Sequence, residues 1–303
     1  MRAQFARTMA EVGQEDSQLV VMVSDIGVFG LRDFANKCPG RFFNAGIREG
    51  AMASAAAGLA LTGYIPVIHS ITPFVVERCF EQIKDDFCYQ RLPGNIVSVG
   101  GGIEYAALGG THHCYSDISL MKSLPGTQVF VPGSALEFDS LFRQSYGNGL
   151  VNYFRLSERS HGLDIGTILP GKGYRIREGK DITLVASGSL VAEQVKAAEE
   201  LAGVISCEII YLPSVKPLDS DLLKSSVAKT RRVVVAEDHN VYGGIGDEVR
   251  RALSNLGSPY AFESLGIQDC FLRDYGSFKH LAAVAGIDSA AIIATVRKVC
   301  GYA

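Results

Sequence analysis

A single acidic side chain, Glu49, lies in a stretch of small and apolar residues. The segment "NAGIREGAMASAAAGLA" (44–60) contains two charged residues, Arg48 and Glu49. Two interpretations of Glu49 are open. A carboxylate in the first turn of a helix is favoured by free N–H groups and the helix dipole, so Glu49 could be a capping acid paired with Arg48 in solvent. Alternatively, a buried carboxyl group could share a proton with a heterocyclic nitrogen of a ligand, because burial disfavours its charged form.

Two adjacent histidines offer proton transfer. His112 and His113 follow two glycines in a loop after a predicted strand. Ligands of open parallel sheets bind at the carboxyl ends of the strands, and imidazoles there could exchange protons with substrate hydroxyl groups. Apart from Cys114, no further ligand follows at a metal-binding spacing, so no metal site is predicted. Ser24 and His69, at the ends of two other predicted strands, are further candidates for lining this cleft.

The elements that position these residues follow an alternating pattern. Short β-branched runs alternate with amphipathic segments of helical length, which predicts a parallel sheet with helices on both faces. The predicted strands are 19–24, 65–70, 95–100, 127–132 and 150–156, and the predicted helices are 2–14, 47–62, 75–90 and 134–146.

A second, smaller unit follows the first. The stretch 157–181 is rich in glycine and charge, and after it the alternation of strands and helices starts again. The fold class is therefore α/β with two domains, each a mostly parallel sheet flanked by helices. We predict domains at residues 1–165 and 175–303.

Composition narrows the class of partner. The 303 residues carry a net charge of −3 and no long basic run, so neither nucleic acid nor a membrane surface is expected to bind. No apolar run of membrane-spanning length is evident, and acids occur too early for a secretory signal, which favours a cytoplasmic location. The seven cysteines are odd in number and lack a C-x-x-C spacing, so we expect reduced thiols.

Four ordered blocks resemble the transketolase family. The segment "GIREGAMASAAAGLALTGYIPV" (46–67) is similar to the family's pyrimidine-binding segment, in which G-[IV]-[AR]-E opens a helix of small residues. "TPFVVERCFEQIKDDFCYQ" (72–90) resembles the next helix, and "LGGTHHCYSDISLMKSLPGTQVFVPGSALE" (108–137) resembles the block that contains the family's T-H motif. "TLVASGSLVAEQVKAAEEL", "YLPSVKPLD" and "VVVAEDHNVYGGIGDEV" are similar to its C-terminal domain. The resemblance covers nearly the whole chain.

This resemblance implies a role for Glu49 and an activity. The matching glutamate of the family hydrogen-bonds a ring nitrogen of the aminopyrimidine of thiamine diphosphate and favours its imino tautomer. The cofactor then serves as the electron sink while a two-carbon ketol unit passes from a ketose, such as a sugar phosphate, to an aldose. The chain is thus expected to be a transferase of the transketolase type.

The resemblance also implies neighbours for Glu49. Phe74 matches the family's aromatic that stacks on the aminopyrimidine. Arg78, four residues later, is a candidate for the same pocket, although a surface salt bridge with Glu77 or Glu81 is an open alternative. His112 aligns with the family's substrate-facing histidine, and the adjacent His113 is a second candidate for a catalytic role.

Two arginines are candidates for binding the substrate. Transketolases carry an L-S-R arginine that grips the sugar phosphate through bidentate geometry, and Arg155 and Arg159 in "YFRLSERSHG" both come near that position. Either could instead be a surface charge.

The family usually has an aspartate three residues before the threonine of the T-H motif, where this chain has Leu108. Its loss puts the ordinary sugar phosphate substrates in doubt.

Half of the cofactor site is missing from the sequence. The family binds the diphosphate and its Mg²⁺ through a GDG motif and a later asparagine on a preceding domain, and no GDG occurs here. We therefore expect this chain to be the C-terminal subunit of a split transketolase, with thiamine diphosphate as cofactor. An N-terminal subunit would carry the diphosphate domain and most of the Mg²⁺ ligands, in an α2β2 heterotetramer.

Three alternatives remain open. The β subunit of a 2-oxo acid dehydrogenase has the same two domains, but the T-H-H block and "SVKPLD" favour the transketolase branch. A subunit like 1-deoxyxylulose-5-phosphate synthase is the next possibility. A non-catalytic assembly subunit with a decayed pocket would be a different class, and the joint presence of Glu49, Phe74 and His112 argues against it.

Overall fold

The computed structural model describes residues 1–302 and contains two sheets. The helices are α1 (Arg2–Glu15), α2 (Arg32–Lys37), α3 (Glu49–Leu61), α4 (Phe80–Gln82), α5 (Asp117–Ser123), α6 (Ala135–Ser145), α7 (Val191–Glu200), α8 (Ser220–Thr230), α9 (Ile245–Leu253), α10 (Phe278–Val284) and α11 (Ser289–Cys300). The strands are β1 (Leu19–Val23), β2 (Phe42–Asn44), β3 (Ile65–Ile71), β4 (Gly94–Val99), β5 (Thr127–Phe130), β6 (Val151–Leu156), β7 (Tyr174–Arg177), β8 (Ile182–Ala186), β9 (Cys207–Tyr211), β10 (Ser214–Lys216), β11 (Arg232–Asn240) and β12 (Ala261–Ile267).

The first sheet has seven strands in the order β10-β5-β6-β4-β3-β1-β2. All neighbours are parallel except β10 and β5. Strands β1, β4 and β6 are buried along their whole length, because helices cover both faces of the sheet. The five strands predicted in this half are confirmed, with ends that differ by two residues or fewer.

The second sheet has the order β12-β11-β8-β9-β7 and is parallel except for the edge strand β7. The segment 157–173, which connects β6 of the first sheet to β7 of the second, contains no helix or strand. The predicted fold class, two mostly parallel sheets flanked by helices, is confirmed.

The short edge elements were not predicted from the sequence. Strand β2 has three residues, two of them exposed, and so carries no apolar run. Strand β10 follows strands of the second sheet in sequence but pairs antiparallel with β5 of the first. Lys216 reinforces this junction, since its ammonium group donates to the carbonyl oxygen of Leu124 at 2.6 Å. Such a long-range pairing leaves no local signal in the chain.

The predicted helix 75–90 is wrong in its form. Two wide π-helical segments, Pro73–Glu77 and Ile83–Tyr89, flank the single α-helical turn of α4. Wide turns of this kind reset the side-chain register and are often found at functional sites. Phe74 and Arg78 both lie at the first of them.

One segment near the end of the chain is as long and apolar as a membrane-spanning helix. Residues 278–300 have the length and apolar composition that could span a bilayer, contrary to the sequence-based expectation. In the structure this segment contains α10 and α11, with a turn at residues 285–288. Leu281, Ile292 and Val296 are fully buried within the protein. Length and composition alone are weak evidence, because a core helix of a soluble protein passes the same test.

Candidate active site

The candidate residues converge on one edge of the first sheet. Loops 24–31, 45–48 and 100–116 follow β1, β2 and β4, so they lie at the carboxyl ends of parallel strands. The loop after β3 leads directly into the π-helical segment that begins at Pro73. This is the edge at which open α/β sheets bind their ligands.

Glu49 is the first residue of α3 and is only 2% exposed. Its Oε2 accepts a hydrogen bond of 2.6 Å from Nη1 of Arg78. Among residues 1–302, Arg78 is the only residue that hydrogen-bonds to the Glu49 side chain. The interpretation of Glu49 as a solvent-exposed acid paired with Arg48 is therefore wrong for this structure: Glu49 is buried and its partner is Arg78.

The small residues of α3 explain how this acid becomes buried. Met52, Ala53 and Ala56 are completely buried, so the helix lies close against the first sheet. With methyl-sized side chains at the contact, the first turn of the helix reaches the strand ends and brings Glu49 inside the fold.

Arg78 and Phe74 form a layer beside this carboxylate. The guanidinium carbon of Arg78 lies 4.5 Å from the centre of the Phe74 ring, a cation–π contact. Arg78 forms no ion pair with Glu77 or Glu81 in the part of the chain that the structure describes, and Glu77 instead accepts a hydrogen bond of 2.5 Å from the Ser116 hydroxyl. The arginine is therefore paired with Glu49, although about half of its side chain stays exposed.

His112 completes this arrangement. Its ring packs edge-on against Phe74 with centroids 5.5 Å apart, and against Tyr105 at 6.2 Å. Its Nδ1 lies 3.0 Å from the Thr111 hydroxyl. The structure thus brings Glu49, Phe74, Arg78 and His112 into one continuous set of contacts.

His113 is placed differently from its neighbour. It is 5% exposed, and its Nδ1 and the Tyr115 hydroxyl are hydrogen-bonded at 2.7 Å. Its Nε2 is buried and has no hydrogen-bond partner within residues 1–302. Burial lowers the pKa of His113 below its usual value, so the ring is neutral at neutral pH.

Ser24 and His69 are buried and face different neighbours. The Ser24 hydroxyl contacts the sulfur of Met52 on α3 at 3.5 Å. His69 packs against Phe5 of α1, with ring centroids 4.6 Å apart, and its Nδ1 donates to the carbonyl oxygen of Val97 at 2.7 Å. Burial lowers the pKa of His69 to about 4, so it is uncharged at neutral pH. The sequence-based expectation that both residues line one cleft stays a prediction.

A cavity of about 520 Å³ opens beside His69. Most of its lining is apolar, and Arg2 contributes a positive charge. Gly27 is required here, since its φ is +87° and a Cβ would come within 2.9 Å of the His69 ring.

Arg155 is buried in an ion-pair network between the two sheets. Its Nε donates to Asp117 at 2.7 Å, and its Nη1 donates to Asp238 at 2.7 Å. The Tyr153 hydroxyl also donates to the Asp117 carboxylate, at 2.6 Å. These carboxylates hold the pKa of Arg155 above its usual value, against the opposing effect of burial.

Arg159 is also engaged by neighbours. Its Nε donates to Glu104 at 3.1 Å, and its guanidinium carbon lies 3.1 Å from the centre of the Phe278 ring. The roles of Arg155 and Arg159 as substrate ligands stay predictions, and in this structure both guanidinium groups are occupied by groups of the chain itself. For Arg155 the geometry indicates a structural role in joining the two domains.

Sequence reasoning missed the acids that neutralise these arginines. Asp117 and Asp238 lie 38 and 83 positions from Arg155, and Glu104 lies 55 positions from Arg159, so no local spacing indicates them. The one available signal was that "YSDIS" and "VVVAEDHN" each place an acid in a block that resembles the family.

Two family models match consecutive parts of the chain. "Transketolase, pyrimidine binding domain" matches residues 1–161, which contain the whole Glu49 site. "Transketolase, C-terminal domain" matches residues 171–292. The chain belongs to the transketolase family.

Three transketolase relatives cover almost the whole chain. The "6-deoxy-6-sulfo-D-fructose transketolase subunit SqwH" of Clostridium sp. (strain MSTE9) is 33% identical over 98% of this chain and 95% of its own length. An apulose-4-phosphate transketolase subunit of Actinobacillus succinogenes is 32% identical over 91% of this chain and 90% of its own length. The solved structure "Split gene transketolase, inactive beta4 tetramer" superimposes with a TM-score of 0.87 at 32% identity, over 99% of this chain and 97% of that one.

Two of these relatives are named as transketolase subunits, and the third is a split gene transketolase. They confirm the prediction of a subunit of a thiamine diphosphate-dependent transferase that acts with a partner chain in a multimeric assembly.

Proposed function

We propose that Glu49, Phe74, Arg78 and His112 form the aminopyrimidine half of the cofactor site in a split transketolase. The observation that carries the proposal is the buried Glu49 carboxylate beside an aromatic face, with one oxygen held by Arg78. The reaction is transfer of a two-carbon ketol unit from a ketose, or a related sugar phosphate, to an aldose.

The residues present fit an aminopyrimidine ring. Such a ring needs a hydrogen-bond partner for its nitrogen and a flat apolar surface for stacking. Within residues 1–302, Oε1 of Glu49 has no hydrogen-bond partner, while Oε2 is held by Arg78. Phe74 offers the aromatic surface next to it. Glu49, Phe74 and Arg78 would therefore be the cofactor ligands of this chain.

The chemistry divides between the cofactor and the chain. When bound, thiamine diphosphate supplies the electron sink for breaking a carbon–carbon bond next to a carbonyl. With the cofactor bound, the Glu49 carboxyl group would share a proton with a ring nitrogen, and its burial at 2% exposure would keep most of the water away from that contact. Arg78 fixes the orientation of that carboxylate.

His112 is the proposed acid–base group for the substrate. It lies in the loop after β4 and contacts Phe74, so a substrate carbon held near the cofactor would lie within reach of its ring. A neutral imidazole can accept a hydroxyl proton and return it. His113, whose Nδ1 is hydrogen-bonded to the Tyr115 hydroxyl, supports the loop and is the second proposed catalytic histidine.

The partner chain would supply the other half of the site. Within residues 1–302, no group of three or more His, Cys, Asp or Glu side chains is placed to hold a metal ion. The sequence also has no GDG motif. We propose that an N-terminal subunit carries the diphosphate domain and the Mg²⁺ ligands, that the enzyme is an α2β2 heterotetramer, and that it works in the cytoplasm.

Glu49→Gln tests the proposal in the reconstituted pair. The amide keeps the shape of the side chain but cannot hold the proton, so turnover should fall by at least about a thousandfold while the melting temperature of the chain stays near that of the wild type. Undiminished transfer activity would remove Glu49 from the mechanism.

Calorimetry with the cofactor tests the division of the site. The isolated chain should bind thiamine diphosphate poorly, and the pair should bind it in a Mg²⁺-dependent manner. A tight Mg²⁺-dependent complex with the isolated chain would contradict the split site.

A search for the partner chain tests whether this chain is catalytic. Failure to find any partner that restores transfer would favour the alternative of a non-catalytic assembly subunit. A screen of ketose donors and aldose acceptors with the pair identifies the substrates.

A further inference from the structure

The cavity beside His69, here termed the His69 cavity, lies at the same edge of the first sheet as Glu49. Its walls come from the start of α1, the loop after β1 and the end of β3. Ligands of open α/β sheets bind at this edge. With a volume of about 520 Å³, the cavity is large enough for a sugar chain of several carbon atoms.

Tyr105 connects this cavity to the candidate catalytic histidine. Its ring packs against His112 with centroids 6.2 Å apart. Burial raises the pKa of the Tyr105 hydroxyl, and the charges of Arg2 and Glu158 act on the same group, so both side chains are close to it. Since Arg2 also lines the cavity, the His69 cavity lies on one side of the candidate active site.

The charge in the wall of the His69 cavity is already paired. Within residues 1–302, Arg2 is the only charged residue that lines the cavity, and its Nη2 lies 3.3 Å from Oε1 of Glu158 in the loop after β6. Arg32 lies over the Phe29 ring and is not part of the wall. The pair of Arg2 and Glu158 is about half exposed and contributes little to stability. Its effect on a ligand is larger, because an anion bound to Arg2 would also come close to the Glu158 carboxylate.

The other walls offer apolar surface and one hydrogen-bond acceptor. Phe5 and Phe29 supply aromatic surface. His69 is neutral at neutral pH, since burial lowers its pKa to about 4. Because its Nδ1 donates to the carbonyl oxygen of Val97, Nε2 carries no proton, and no group within residues 1–302 donates to it. This nitrogen lies at the wall beside Gly27, where an added Cβ would be 3.2 Å from it.

We propose that the His69 cavity binds the end of the sugar that is remote from the carbonyl group, and that Glu158 makes the enzyme specific for sugars in which this end is uncharged. The proposal rests on the proposed function and names its substrate class. A phosphate or sulfonate at this end would meet a carboxylate beside Arg2, the one cation of the wall. A terminal hydroxyl group can instead donate to Nε2 of His69.

Glu158→Gln in the reconstituted pair tests this specificity. The donors are a ketose and the same ketose phosphorylated at its terminal carbon. The wild type should use the unphosphorylated donor with a kcat/KM at least about tenfold higher. The amide leaves Arg2 without an anionic partner, so the ratio should move about tenfold toward the phosphorylated donor. Glu200→Gln is the matched control, because Glu200 is exposed at the end of α7 in the second domain.

Two kinetic outcomes would overturn the proposal. The first is a preference of the wild type for the phosphorylated donor. The second is a ratio that is the same in Glu158→Gln and Glu200→Gln, with both variants folded by circular dichroism.

A binding measurement distinguishes this proposal from the proposed function. In the whole chain labelled with ¹⁵N at histidine, the unphosphorylated ketose should shift the Nε2 resonance of His69, and inorganic phosphate should leave it unchanged. No shift with the ketose, or a shift with phosphate, would overturn the assignment of the cavity. If His69 responds as expected but the pair transfers no ketol unit from any donor, the proposed function fails while the preference of the cavity for an uncharged sugar stands.

Discussion

The Arg78 guanidinium holds one oxygen of the Glu49 carboxylate at 2.6 Å and lies 4.5 Å from the centre of the Phe74 ring. A single side chain therefore orients the acid and lies against the aromatic on which the cofactor is proposed to stack. The second carboxylate oxygen has no protein partner among residues 1–302, so it is available to hydrogen-bond a ligand.

Replacing Arg78 by Met should weaken both cofactor binding and the fold. A charge-assisted hydrogen bond is worth about 1.5–3 kcal/mol, so we expect the Kd of thiamine diphosphate in the reconstituted pair to rise about tenfold to a hundredfold. Arg78 is half exposed but Glu49 is 2% exposed, so the variant leaves a buried carboxylate without its partner and should also lower the free energy of unfolding. Calorimetry and thermal melting measure the two effects.

Arg78→Lys is the matched control for this pair. It keeps the positive charge but loses the planar group that contacts Glu49 and Phe74 together, so its Kd should lie between those of the wild type and Arg78→Met. An unchanged Kd in Arg78→Met would show that the ion pair does not position the acid.

Arg155→Met should destabilise the isolated chain. The substitution leaves Asp117, which is fully buried, and Asp238 without their cationic partner. Breaking a buried ion pair from one side costs about 3–5 kcal/mol, and we expect a loss of that size in the free energy of unfolding measured by urea titration. A stable Arg155→Met variant with a raised KM for a phosphorylated donor would instead support the role of a substrate ligand.

His69 should make the chain less stable in acid. Burial depresses its pKa to about 4, below the ordinary value of about 6.5, so the unfolded chain binds a proton between these pH values that the folded chain does not. The free energy of unfolding contributed by this residue is therefore fully present above about pH 6.5 and decreases as the pH falls toward 4. The shift corresponds to about 3 kcal/mol at its limit.

His69→Gln removes this titration. The stability difference between the wild type and the variant, measured by urea unfolding, should become less favourable to the wild type on going from about pH 7.5 to about pH 5. A difference that is the same at both pH values would mean that His69 titrates normally in the folded chain.

Leu108→Asp should change the preference among donors. Leu108 is half exposed in the loop that carries His112, at the position where the family usually has an aspartate. A carboxylate there can accept a hydrogen bond from a substrate hydroxyl, which is worth about 1.5–3 kcal/mol. The ratio of kcat/KM between two ketose donors that differ in a single hydroxyl group should shift about tenfold or more, and Leu108→Asn should shift it less. An unchanged ratio would remove Leu108 from the determinants of specificity.

The local pattern of apolar and polar residues was sufficient to predict much of the fold. The apolar run at 19–23 predicted a buried strand, since parallel sheets covered on both faces bury such a run completely. The local pattern did not predict β10, because its conformation depends on pairing with the distant strand β5. It did not predict the π-helical turns at 73–77 either, because packing against the strand ends decides their conformation.

The sequence by itself determined which residues could do the chemistry: an acid in a run of small residues, an aromatic at 74 and a histidine pair after two glycines. It also determined the transketolase family, because four blocks occur in order along the chain. Only the tertiary structure decided which acid Arg78 pairs with and which acids neutralise Arg155. These depend on contacts between residues that are far apart in sequence, and their choice is made by burial and distance in three dimensions, which no local spacing encodes.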